Sequence, residues 1–128
     1  MPATRLDGRP FVRPWAATIL PLLAIGMLLP VLPLYARGPL EAGGLGVGLT
    51  VAAASPAAFL FQPLAGRLGD RRGRRLLVVG GGLLAAGAVA AYTTADSLAL
   101  LVAFRLATGV GEALVFVGTA TVVNDLAP

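Results

Sequence analysis

Four long apolar stretches follow one another in a chain of 128 residues, at about 15–36, 45–65, 76–95 and 98–123. They leave few folds open. A helix that crosses a bilayer needs about 20 apolar residues in succession, and each stretch supplies them. Apolar residues make up 57% of the chain and charged ones 12%, so a water-soluble globule of this size would lack the polar surface it has to present. Period-two alternation is absent, which argues against a membrane β-barrel. An open sheet edge has no hydrogen-bonding partner in lipid. The sequence therefore predicts an all-α membrane protein of four transmembrane helices.

The punctuation agrees. Pro39, Gly43 and Gly44 separate the first two helices, and Arg71 to Arg75 form a charged turn between the second and third. Asp96 and Ser97 are placed to cap the fourth, and Asn124, Asp125 and Pro128 mark its end. Pro21, Pro30 and Pro33 are expected to kink the first helix and Pro56 the second. Residues 1–14 read as a tail, and 15–128 as a partial helical bundle. A cleaved signal peptide over the first stretch is disfavoured by its length, its three prolines and the apolar segments that follow.

The arginines give the orientation. The tail carries Arg5, Arg9 and Arg13, and the second loop carries Arg67, Arg71, Arg72, Arg74 and Arg75. The first loop has only Arg37 and the third has none. Cytoplasmic loops hold the excess of basic residues, so both termini are expected in the cytoplasm. The basic balance thus belongs to a membrane surface. No aromatic platform stands near these arginines, and no nucleic acid is expected as a partner. With no Cys and no His, neither a metal site nor a cofactor is expected, and no catalytic residue is nominated. Small residues, Gly80, Gly81, Gly82, Ala85, Ala86 and Gly87 in the third helix and Gly44, Gly48 and Ala52 in the second, suit close helix packing in lipid.

The segment Gly66-Arg67-Leu68-Gly69-Asp70-Arg71-Arg72-Gly73-Arg74-Arg75 asks for more than positive charge. Gly66 permits close approach to a neighbour. Asp70 stands among arginines, able to cap a helix N-terminus or pair with Arg, and Gly73 suits a positive φ. This segment resembles the signature loop of the major facilitator superfamily, Gly-x-x-x-Asp-Arg-x-Gly-Arg-Arg. It matches at Gly66, Asp70, Arg71, Gly73, Arg74 and Arg75, between the second and third helices where the family has it. The resemblance implies a major-facilitator-type helical bundle in which this loop is a gate element. It implies that Asp70 contacts a helix N-terminus in the opposite half of the transporter, and that Arg74 pairs with an acid at the cytoplasmic end of the fourth helix, here Asp125.

The fourth helix carries Arg105 and Glu112 inside its apolar run, where each costs a few kcal/mol. They lie seven residues and about 10 Å apart along one face, a gap expected to need a kink or water to close. Thr108 and Thr119 share roughly that face, so the stripe Arg105, Thr108, Glu112, Thr119 is expected to line a wet interior. A carboxylate near the midplane suits a group that loads and releases a proton. Arg105-x-x-x-Gly109-x-Gly111 is similar to the fourth-helix pattern of proton-coupled drug efflux members of the superfamily, where the Arg takes part in coupling. Many of those have an acid in the first helix, which this chain lacks.

The family has about twelve helices in two halves, with the substrate site between them. The chain is therefore expected to be the N-terminal fragment of a secondary transporter in a bacterial inner membrane, an antiporter exporting small molecules by proton-coupled alternating access. Its partners would be lipid, substrate, protons and the remainder of the transporter. Two alternatives are a complete four-helix transporter that dimerises, like the small multidrug-resistance proteins, and a non-transport membrane subunit. The former carry their essential acid in the first helix and lack the signature loop. The latter would need neither Arg105 nor Glu112.

Overall fold

A computed structural model describes residues 9–126, without the side chains at 9–11, 13, 14, 17, 18, 21, 123, 125 and 126. It is helical throughout apart from short connections. Helix α1 spans Arg9–Arg37, α2 Gly44–Ala52, α3 Ala54–Arg72, α4 Arg74–Ala91 and α5 Leu98–Leu126, with one 3-10 turn at Tyr92–Thr94 before α5. Three segments, Gly44–Arg72, Arg74–Thr94 and Leu98–Val122, are long and apolar enough to cross a membrane. Among the described residues, the apolar part of α1 is the shorter Leu22–Arg37.

Several boundaries differ from those expected. Part of the tail is helical, since α1 begins at Arg9; Pro10 stands in its first turn, where a missing N–H has no partner to lose. Despite its internal prolines, α1 runs without a break. The second predicted helix is instead divided at Ala53. Pro56 has no N–H for the carbonyl of Ala52, and the helical ladder breaks there. Beyond that break α3 continues to Arg72, across Pro63, so the expected turn over Arg71 to Arg75 shrinks to Gly73 alone.

The most extensive packing joins α4 to α5. A Cβ added at Gly111 would lie 2.7 Å from the Gly81 carbonyl oxygen, and one added at Gly81 2.6 Å from the Leu114 Cβ. These helices pack almost backbone to backbone, the contact that drives association in lipid. Only part of the predicted small-residue surface is used in this way. Gly80, Gly82, Gly44 and Gly48 face nothing within 4 Å.

The ends of the bundle differ in character. At one end Leu32, Ala36, Val47, Tyr92, Ala95 and Leu101 form a buried apolar cluster. Tyr35 ties it together by donating to the Ala95 carbonyl at 2.9 Å. Ser97 Oγ accepts the Leu100 N–H at 3.3 Å, which caps the start of α5. At the other end α3 and α4 meet at Gly73, amid the arginines.

Candidate functional site

Glu112 is the central residue of Leu98–Leu126, which places a carboxylate at mid-span. Arg105 lies two turns away on α5, only 3% exposed. The pair closes directly: Arg105 Nη1 stands 3.8 Å from Glu112 Oε1. The expectation of a gap needing a kink or water is therefore wrong. It measured the rise between backbones. Side chains on a helix lean toward its N-terminus, so Glu112 leans back toward Arg105 and the long guanidinium arm covers the rest. The contact is Coulombic only. Arg105 Nε and Nη1 and Glu112 Oε1 are buried without a hydrogen bond among the described residues.

The two threonines of the stripe are buried but spend their protons on their own helix. Thr108 donates to the Phe104 carbonyl at 2.9 Å, which leaves the Tyr92 hydroxyl as donor in its 2.6 Å contact with Thr108 Oγ1. Thr119 bonds the carbonyls of Val115 at 2.9 Å and Phe116 at 3.1 Å. Such back-bonding satisfies a hydroxyl in an apolar helix, and the Thr108 oxygen is further occupied as acceptor for Tyr92.

Glu112 lines two clefts at once. One, of about 240 Å³, is bounded by Leu22 and Ile25 of α1, Ala58 and Gln62 of α3, and Phe116 and Thr119 of α5. The other, of about 280 Å³, lies between α1 and α4 and includes Ala24, Leu28, Gly82, Ala86 and Thr108. The walls are apolar with few polar groups, the usual make-up of a small-molecule site. Arg105 lines neither cleft. Two polar residues of this region escaped the sequence reading. Gln62 is an uncharged amide amid the apolar residues of α3, and that was its signal. Tyr92 gave none, since a tyrosine near a span end reads equally well as an interfacial anchor.

The signature segment departs from a loop. Gly66 through Arg72 belong to α3, and Asp70 sits exposed in its last turn. It caps no helix N-terminus and makes no ion pair among the described residues. Gly66 has nothing within 4 Å of a Cβ, whereas one at Gly69 would meet the Leu77 Cδ1 at 2.7 Å. Within the described residues the close approach is thus at Gly69, with the Leu77 side chain. Arg71 and Arg75 are exposed. Arg74 reaches across to α5 and donates to the Thr121 carbonyl at 3.1 Å. The side chain of Asp125, expected to pair with Arg74, lies outside the described residues.

Gly73 carries the turn with φ 91° and ψ 146°, a conformation open essentially to glycine alone. Its N–H donates to the Gly69 carbonyl at 3.0 Å. Gly73→Ala is expected to destabilise the protein by about 1–3 kcal/mol and to lower its thermal midpoint in detergent. Gly66→Ala, with open space around it, should leave that midpoint in place.

Among the described residues, no group of three or more His, Cys, Asp or Glu side chains is placed to hold a metal ion.

The family model for the Major Facilitator Superfamily matches residues 15–128. The chain is 28% identical over 106 residues to the quinolone resistance protein NorA of Staphylococcus aureus, covering 83% of this chain and 27% of NorA. It is 41% identical over 88 residues to the uncharacterized MFS-type transporter YddS of Bacillus subtilis, covering 66% of this chain and 19% of YddS. The chain thus spans about a quarter or less of the length of these relatives. No solved structure matches it significantly.

Proposed function

The chain belongs to the Major Facilitator Superfamily, and we propose that it builds the first four helices of a proton-coupled efflux transporter, an antiporter of the bacterial inner membrane working by alternating access. The observation that carries this proposal is the Arg105–Glu112 pair, in which a buried arginine faces a half-buried carboxylate that lines two clefts at the middle of α5. Charged groups inside a membrane bundle are expensive and mark ion or substrate paths. A proton taken up by Glu112 ends its attraction to Arg105 and so changes the forces across the wall of both clefts. Thr119 lines one of these clefts and Thr108 the other.

Gly66, Asp70, Arg71, Gly73, Arg74, Arg75 and Asp125 form the gate in this proposal. Asp70, exposed and without an ion pair among the described residues, is available to a helix of the remaining transporter. Arg74 already bridges α4 to α5, and Asp125 is the acid nearest along α5. The arginine distribution supports cytoplasmic termini. The partial coverage of NorA and YddS supports a second wall of the cavity supplied by further helices.

Efflux of a quinolone is the substrate test suggested by the name of NorA. Inside-out vesicles from cells expressing the whole reading frame should accumulate a quinolone when respiration acidifies their interior. A protonophore should release it. Accumulation that survives collapse of the gradient would contradict proton coupling.

A further inference from the structure

A cleft larger than either of those beside Glu112 lies between α3 and α5, about 420 Å³ in volume. Its floor is apolar, made by Phe61, Leu64 and Leu68 of α3 and Val110 and Leu114 of α5. The charged residues lining it are Arg67 and Arg71. They stand one helical turn apart, a spacing that makes side chains neighbours at about 5–6 Å. Both are exposed, and neither has an ion pair among the described residues. Asp70 is not part of the lining.

We propose that this cleft holds an anionic phospholipid, with its phosphate between Arg67 and Arg71 and an acyl chain along the floor. Two planar guanidinium forks one turn apart match the oxygens of a phosphate. From Phe61 to Arg71 the helix rises about 15 Å, half of a hydrocarbon core about 30 Å thick. A chain lying on this floor therefore stays in one leaflet while its head reaches the arginines. Basic pockets between membrane helices bind anionic heads in this manner. A zwitterionic lipid offers the same phosphate, but its own cation offsets the attraction. The proposal rests on the cytoplasmic placement of this end only in saying which leaflet supplies the lipid.

The test is native mass spectrometry on the protein expressed from its whole reading frame and titrated in detergent with phosphatidylglycerol or phosphatidylcholine of identical chains. The wild type should bind phosphatidylglycerol at least about fivefold more tightly. The double variant Arg67→Gln/Arg71→Gln should bind both lipids alike. Leu64→Trp should cut phosphatidylglycerol adducts several-fold with both arginines in place. Unchanged melting without lipid would show that the variants fold. A wild type with no preference, a double variant that keeps it, or a floor substitution without effect would each overturn the proposal; the last is the result expected if another helix of the same protein fills the cleft. The titration uses no gradient and no sidedness. Its failure would leave the transport proposal standing, and loss of transport with intact lipid preference would count against transport alone.

Discussion

Glu112→Gln should remove the response of transport to a pH gradient, lowering gradient-driven accumulation by about 5- to 150-fold, the span of typical coupling energies. The substitution keeps the shape of the side chain and removes its ability to load a proton. It also leaves Arg105, 3% exposed, without its counter-charge. An unpaired buried charge destabilises by about 3–5 kcal/mol, so protein levels must be measured beside transport. The double variant Arg105→Gln/Glu112→Gln separates the effects, because two neutral amides restore electrical balance without restoring coupling. It should fold better than Glu112→Gln and remain uncoupled. A Glu112→Gln protein that folds and still follows the pH gradient would end the proposed role. Substrate that still moves down its own gradient in the uncoupled variants would place the loss in coupling rather than in binding.

The second large effect concerns Gly109, on α5 between Arg105 and Glu112. A Cβ there would collide with the backbone of Ala54, whose carbonyl oxygen, carbon and Cα are its nearest neighbours. Backbone at the start of α3 cannot swing aside as a flexible side chain can. Gly109→Ala should therefore cost about 3 kcal/mol and lower the thermal midpoint in detergent clearly. Gly48→Ala and Gly87→Ala, with nothing within 4 Å of the added atom, should change stability little or raise it by up to about 1 kcal/mol through helix propensity. Equal midpoints for all three variants would show that α3 does not press on α5 at this point. The contact bears on function as well as stability, since it fixes α3, and with it Gln62, against the helix that carries Glu112.

Periodicity, charge and spacing made the helices legible, because a bilayer admits so few backbones. The break at Ala53 was foreshadowed by Pro56, since a missing N–H is a local property. The shrinking of the signature loop to Gly73 was not. Helix α3 gains its last turn by continuing the Gly44–Arg72 segment to its end, and nothing in the local sequence forbids or demands that turn. The same limit applies to the glycines. Spacing marks a small-residue face but not its partner, so Gly81 and Gly111 could not be told from Gly80 and Gly82. The Arg105–Glu112 distance was misjudged because helical rise describes backbones, whereas ion pairs are made by side-chain ends. The polar character of the stripe was readable; its bonds to Tyr92, Phe104, Val115 and Phe116 depend on packing.

Alternating access at the clefts around Glu112 is the central claim, and its most direct measurement is thiol accessibility at position 62. Gln62 is exposed in the cleft that Glu112 lines, and these 128 residues contain no Cys, so Gln62→Cys introduces the one thiol among them; any Cys in the rest of the reading frame is first replaced by Ser. A membrane-impermeant maleimide would be applied to right-side-out and inside-out vesicles, with and without a pH gradient. Access from both faces is predicted, with the gradient raising labelling from one face as it lowers labelling from the other. Labelling from a single face under every condition would contradict alternating access at this site.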